Sequence, residues 1–255
     1  MTNPTACLVI IGNEVLSGRT REANLQYIAT RLGQIGIPLM EARVIPDIRA
    51  AIIGTINEVR AKFDHVFTTG GIGPTHDDIT SECVAAAFGV PWEPHPEAWA
   101  LLERHYAENH PPGAFNAARQ RMATMPRGAV LIENPVSVAP GFSIGNVHVL
   151  AGVPRIMQAM FEALAPRLKG GPPIASATVH ADGLLEGRIA EGLADIQARW
   201  PMLDIGSYPY YRPGGGGVAI VAKGTDAERV AEAAQAITAF LRACGAKPKD
   251  GEPPA

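Results

Sequence analysis

The stretch Thr68-Thr69-Gly70-Gly71-Ile72-Gly73-Pro74-Thr75-His76-Asp77-Asp78-Ile79-Thr80 carries the densest chemistry in the sequence. Glycines admit the positive φ values that turn successive backbone N–H groups into one concavity, and they remove side chains that would block a phosphate. Gly70, Gly71 and Gly73 are therefore candidate ligand-binding positions, with the hydroxyls of Thr75 and Thr80 beside them. A helix that follows adds its N-terminal N–H groups and the positive end of its dipole. Asp77 and Asp78 at that mouth would repel each other and an incoming phosphate. A divalent cation such as magnesium, manganese or cobalt, set between them and a diphosphate, removes both conflicts because its preferred ligands are oxygens. Asp77 and Asp78 are thus the candidate catalytic and metal-holding residues. The same residues also read as an ordinary strand-to-helix turn in which Asp78 only caps the helix.

A second group is Gly12-Asn13-Glu14-Val15-Leu16-Ser17-Gly18-Arg19, directly after an apolar run. Glu14 is placed to ligate the same metal, while Ser17, Gly18 and Asn24 are placed to bond a base or phosphate. A polar loop with Asn24 as a helix N-cap explains the same residues. The third group joins Pro140-Gly141-Phe142 to Ala151-Gly152-Val153-Pro154. Here Gly152, before a helix opened by proline, offers a second anion pocket, and Gly141 accompanies it; plain turns are the competing account. No Lys-Ser or Lys-Thr follows the glycines, so this is no Walker A loop, and the wider dinucleotide-binding spacing is missing. No His-x-x-x-His pair occurs. Among the histidines only His76, adjoining the aspartates, draws interest. Gly214–Gly217 lacks an acidic partner and reads as a hairpin tip.

The elements that must position these residues alternate. Ala6–Ile11 is a continuous apolar run, as in a strand covered on both faces. Leu25, Ile28, Ala29 and Leu32 repeat at helical spacing until Gly36 and Pro38. Leu39–Ile45 reads as a strand, and Asp47 as the cap of a helix with the stripe Ile48, Ile52, Ile56 and Val59. His65–Thr68 is a third strand that empties into the glycines, after which Asp78 or Thr80 opens a helix. This order predicts an α/β fold of three layers, helix on sheet on helix, with a mostly parallel sheet. Ligands in such folds sit at the carboxyl ends of the strands, where the Gly70 loop lies. Glu93–Met125 reads as one or two helices broken at Pro111-Pro112-Gly113. Ala129–Ile132, Gly141–Ile144 and Val147–Leu150 read as strands, the last two joined by a Gly145-Asn146 turn.

Lys169-Gly170-Gly171-Pro172-Pro173 is the expected linker. It separates a first domain over 1–170 from a small α+β domain over 171–245, with a β-α-β-β-α order. Residues 246–255 are expected to form a flexible tail.

Composition narrows the function. With 47% hydrophobic residues the chain can bury a large core, and a net charge of −3 offers no basic surface for nucleic acid. The run Ala6–Ile11 is too short for a signal peptide, and no segment reaches the length needed to span a bilayer. Three cysteines without a Cys-x-x-Cys pair suit reduced thiols. A cytoplasmic protein without membrane partners is the expectation.

Thr69-Gly70-Gly71-Ile72-Gly73-Pro74-Thr75-His76-Asp77-Asp78-Ile79-Thr80 resembles the motif of the molybdopterin-binding (MoCF biosynthesis) domain family. Its Gly-Pro-Thr and double-Asp version is similar to the N-terminal part of the competence/damage-inducible CinA proteins and to the corresponding part of eukaryotic FAD synthases. Gly12–Arg19 with Asn24, Ala139–Phe142, Gly152-Val153-Pro154 and Gly206-Ser207-Tyr208-Pro209 resemble the group's other motifs, so the likeness covers about residues 5–243. Ala151 departs from the usual proline. Full-length CinA proteins carry a further amidase domain that deamidates nicotinamide mononucleotide; the likeness stops before it, and that activity is not expected. The resemblance implies a three-layer fold and either binding of a pterin phosphate or metal-dependent cleavage of a nucleotide pyrophosphate such as ADP-ribose or FAD. It also implies self-association into a homo-oligomer.

Overall fold

The computed structural model describes residues 3–213 and 215–254. The chain divides into two compact units, Met1–Gly171 and Pro172–Ala255.

In the first unit β1 (Ala6–Ile11) leads through the single turn α1 (Asn13–Leu16) into α2 (Asn24–Gln34). Then come β2 (Leu39–Ile45), α3 (Arg49–Lys62), β3 (His65–Thr69) and α4 (Thr80–Phe88). β4 (Trp92–Pro94), α5 (Pro96–Asn109), α6 (Ala117–Gln120) and β5 (Thr124–Pro126) follow. β6 (Val130–Ile132), β7 (Gly141–Ile144), β8 (Val147–Leu150) and α7 (Pro154–Leu164) complete it. The main sheet runs β2-β1-β3-β8-β7-β6. β2, β1, β3 and β8 are parallel, while β7 and β6 run antiparallel. β1 shows why both faces are apolar: Cys7, Val9 and Ile11 enter a core with Ile52, Ile56 and Val84. Ala6, Leu8 and Ile10 enter another with Ile28, Leu32 and Phe161. Helices on each face bury what the strand presents, which is the three-layer arrangement.

Three local details differ from the sequence reading. Ile48 stays exposed, and Asp47 does not cap α3 but accepts the Asn13 N–H at 2.8 Å, tying two loops together. The Glu93–Met125 stretch contains α5 and α6, yet its ends, as β4 and β5, pair with each other as a small antiparallel ribbon. At the far end of the sheet from the glycines, His148 is buried, bonding Ser143 Oγ at 2.8 Å and His65 at 3.3 Å. All three cysteines are free. Burial pushes the Cys7 and Cys83 thiols up to about 11.

The second unit contains β9 (Ala175–Asp182), α8 (Ala190–Arg199), β10 (Asp204–Arg212), β11 (Gly215–Gly224), α9 (Ala227–Ala243) and β12 (Lys249–Asp250). Its sheet is antiparallel in the order β10-β11-β9-β12. The chain end does not fray as its composition suggests: Lys249 and Asp250 pair with His180 and Val179, and His180 Nδ1 bonds Gly251 O at 2.7 Å. Of the four-glycine stretch, Gly214 lies outside the described residues; Gly215–Gly217 belong to β11. Among the described residues no helix is long and apolar enough to cross a membrane.

Candidate functional site

β1, β3 and β8 are parallel neighbours, so their carboxyl ends release Gly12, Gly70 and Gly152 at one edge of the sheet. The three segments are in contact. A Cβ on Gly70 would lie 2.1 Å from Ile11 O, and one on Gly152 would lie 3.2 Å from the Gly70 Cα. Gly70 and Gly71 have φ of 100° and 67°, the left-handed region that only glycine occupies cheaply. The bend is pinned from both sides, by Gly70 N–H to Leu150 O at 3.3 Å and Thr80 N–H to Gly71 O at 3.0 Å.

A cleft of about 520 Å³ opens over this bend. Gly70, Gly71, Ile72 and Gly73 line it with Asp78 and Gly152. Gly70 has spent its amide within the fold, but among the described residues nothing takes the N–H groups of Gly71, Ile72 and Gly73. Ile156, Met160 and Met122 give the cleft an apolar flank. A larger groove of about 750 Å³ between α5 and β6 shares only Asn134 with this cleft and contains no glycine bend. Volume alone is therefore a poor guide to the site.

The two aspartates diverge. Asp78 lines the cleft and turns its carboxylate back onto the bend, where Oδ2 accepts the Thr75 N–H at 2.8 Å and the Thr75 hydroxyl. It does not cap α4, whose N-cap is Ile79. The Asp77 side chain is 62% exposed and does not line the cleft. The neighbouring Thr75 hydroxyl is the main influence holding its carboxyl below the ordinary range. His76 is 98% exposed, 3.9 Å from Asp77. Only one of the two adjacent carboxylates thus belongs to the cleft, although the Thr75 hydroxyl lies beside both. Glu14 does reach the cleft, and among the described residues no donor engages its carboxylate.

The other predicted positions divide similarly. Thr75 serves the turn and does not line the cleft. Ser17 donates to Glu14 O at 3.2 Å, and Gly18 makes a left-handed turn at φ 71°; both stand outside the cleft. Gly141 is buried in β7, where a Cβ would lie 2.4 Å from Val149 O, so its lack of a side chain serves strand packing. Asn24 is not the N-cap of α2. Glu22 takes that task through Oε1, accepting the Asn24 and Leu25 N–H groups. The freed Asn24 side chain donates Nδ2–H to Gly152 O at 2.8 Å.

Several buried oxygens around the bend have no partner: Asn24 Oδ1, Thr69 Oγ1 and Thr80 Oγ1. Asn24 and Thr69 line a small recess of about 50 Å³ beside Glu14 and Gly70. Buried polar atoms are nearly always satisfied, so such a cluster marks a place for water or ligand atoms.

Three contributors lay outside the sequence reading. Thr20 lines the cleft from the first loop. Arg121 clamps the loop by donating to Asp78 O at 3.2 Å, while its Nε is buried without a partner. Asn134 organises the wall over 134–139: its side chain donates to Ser137 Oγ and Ala139 O at 2.7 Å and accepts the Val136 and Ser137 N–H groups at 3.1 Å. That wall holds Val138 at φ 70°, rare for a β-branched residue. An Asn followed by a Ser three residues on was the available signal, and it is common to many loops.

Among the described residues no group of three or more His, Cys, Asp or Glu side chains is placed to hold a metal. Glu14 and Asp78 are the two carboxylates that line the cleft. That supply fits an ion such as magnesium, which takes one or two protein carboxylates and completes its shell with substrate phosphates and water.

Residues 7–170 match the family model described as "Probable molybdopterin binding domain". Residues 173–249 match the model of the FAD synthase middle domain. A protein of Pyrobaculum calidifontis is 36% identical over 81% of this chain and 81% of its own length. A CinA-like protein of Parasynechococcus marenigrum is 34% identical over 74% of this chain; the match spans 47% of that longer protein. The crystal structure of the protein CinA from Thermoplasma acidophilum superposes with a TM-score of 0.59 at 30% identity, covering 66% of this chain and 99% of that one.

Proposed function

This chain belongs to the molybdopterin-binding domain family, and from that premise we propose that its glycine-bend cleft is the active site of a metal-dependent nucleotide pyrophosphatase of the ADP-ribose or FAD class. One observation carries the reading: three consecutive residues that line the cleft, Gly71, Ile72 and Gly73, have backbone N–H groups without partners among the described residues. Backbone N–H groups held in place by a rigid turn stabilise charge on phosphoryl oxygens without having to reorganise. Glu14 and Asp78 are the residues that would hold the divalent ion, which when bound supplies charge neutralisation between the carboxylates and a diphosphate. Thr75 keeps the Asp78 carboxylate oriented. Glu14, with no donor on it, is the group available to accept the proton of the attacking water. Water adds to one phosphorus, the bridging oxygen leaves, and the products are AMP with ribose 5-phosphate or FMN. The likeness of residues 173–249 to the FAD synthase middle domain keeps FAD among the substrates to be tried.

A second reading is binding of a pterin phosphate without turnover. The apolar flank of Ile156, Met160 and Met122 favours it, because a flat ring can lie there while its phosphate meets the bend. Incubation with ADP-ribose and with FAD, each with magnesium, manganese or cobalt, separates the two. Release of AMP supports the hydrolase. Tight pterin binding that needs no metal, with no AMP formed from either nucleotide, replaces it with the second reading.

A further inference from the structure

α2 buries Asn24, Ile28 and Leu32, spaced four apart along one face. Ile28 and Leu32 enter the apolar core that holds Phe67. Asn24 stands on the same stripe, although a buried amide needs partners for both of its ends. Its Nδ2 has one in Gly152 O at 2.8 Å, and that bond fixes which way round the amide lies. Oδ1 is left at the other end, buried and without a partner. Thr69 follows Phe67 by two residues on β3, so its side chain leaves the sheet on the same side, toward α2. It is 1% exposed, and its hydroxyl also has no partner.

Both residues line the recess of about 50 Å³ together with Glu14. The recess and the glycine-bend cleft have Glu14, Thr20, Gly70 and Gly152 in common, so the two adjoin. The lining dictates the occupant. Asn24 Oδ1 and the Glu14 carboxylate accept hydrogen bonds, while the Thr69 hydroxyl can donate one. A molecule with two protons and a lone pair satisfies all three groups at once. Water is that molecule, and the recess has room for one or about two of them.

We infer, resting on the pyrophosphatase reading of the adjoining cleft, that this recess seats the water that attacks the diphosphate and that Asn24 and Thr69 are the positioning residues that aim it. One water proton bonds Asn24 Oδ1 and the other bonds Glu14. The Thr69 hydroxyl donates to one lone pair of the water, which leaves the second pair for phosphorus. As that pair forms the new P–O bond, Glu14 takes one proton and the other stays on the new P–OH group. The bond from phosphorus to the bridging oxygen breaks, and its electrons leave with the departing phosphate.

The test is turnover of ADP-ribose by the full chain with a divalent metal in water containing methanol, with the products separated by chromatography. Methanol has a single hydroxyl proton, so it cannot bond both Asn24 Oδ1 and Glu14. The natural chain is expected to release AMP and ribose 5-phosphate with almost no methyl ester of either. Asn24→Ala removes the second acceptor and makes room for the methyl group, so the ratio of methyl ester to hydrolysis product should rise roughly tenfold or more. That ratio compares two fates of the same bound substrate, so lower stability or affinity of the variant does not move it. Thr69→Val keeps the side-chain shape and should lower kcat roughly tenfold with KM within about twofold of the natural value. Thr69→Ser, which keeps the hydroxyl, should restore kcat. Methyl ester formed by the natural chain in proportion to the methanol present overturns the inference, as does an unchanged ratio in Asn24→Ala or full kcat in Thr69→Val. Each of these leaves the pyrophosphatase reading standing, whereas no AMP from the natural chain with any metal overturns both.

Discussion

Asn24 Nδ2 donates to the carbonyl of Gly152 across 2.8 Å, joining the start of α2 to the loop after β8, 128 residues away in the chain. Both flank the glycine bend, and the other end of the same amide, Oδ1, is buried without a partner. Asn24→Ala removes the tether and leaves Gly152 O unpaired. The expected cost is about 1–3 kcal/mol of stability, read from urea denaturation. Binding of a nucleotide diphosphate should fall at least several-fold, read by calorimetry.

Asp77 and Asp78 should behave differently, although they are neighbours. Asp78→Asn loosens the Thr75 turn and removes a cleft carboxylate. AMP release should drop by about 100-fold or more, as when a preorganised charged group is lost. Asp77→Asn, on a side chain outside the cleft, should retain activity within a few-fold. Equal losses in the two variants would mean that the loop rearranges on binding.

Gly70→Ala tests the close approach beneath the bend. The new methyl would meet Ile11 O, a backbone atom that cannot swing away, at a position with φ of 100°. Left-handed strain and overpacking together predict a loss of roughly 3 kcal/mol or more, seen as a lower urea midpoint. Gly18→Ala pays only the first of these, because nothing lies within 4 Å of its built Cβ.

The sheet end opposite the cleft sets the acid limit. Burial, then the positive charge of His65 and Arg167, pushes His148 down to about 3, and burial lowers His65 as well. The unfolded chain therefore takes up these protons first. Stability from His148 is complete above about pH 6.5 and is lost as pH falls from there toward 3, by about 1 kcal/mol per pH unit, and His65 adds to the loss in the same direction. Urea midpoints between pH 8 and pH 4 should show the slope, and His148→Gln should flatten it.

Much of the frame was legible. β1 declared itself by an unbroken apolar run, and the alternation of strands with helical stripes required helices on both faces. The glycine bend was legible because its residues need each other locally: Gly70 and Gly71 accept φ values other residues avoid. What escaped depends on partners distant in sequence. Asp47 and Asn24 looked like caps, since capping is a local rule, but tertiary contacts gave their side chains to Asn13 and Gly152. Asp77 and Asp78 looked like a pair because they are adjacent, whereas only Asp78 lines the cleft. Gly141 was read as part of the site when its reason lies in strand packing against Val149. Arg121 and Asn134 carried no periodicity at all, and only the folded chain brings them to the bend.

Val138 shows what the cleft wall is made for. A valine at φ 70° sits about 1–2 kcal/mol above its relaxed state. Four side-chain bonds from Asn134 hold the segment in that conformation before any ligand arrives. An incoming molecule thus meets a finished surface and forfeits little loop freedom on docking, so discrimination there rests on shape, and a misfitting ligand finds no give in the wall.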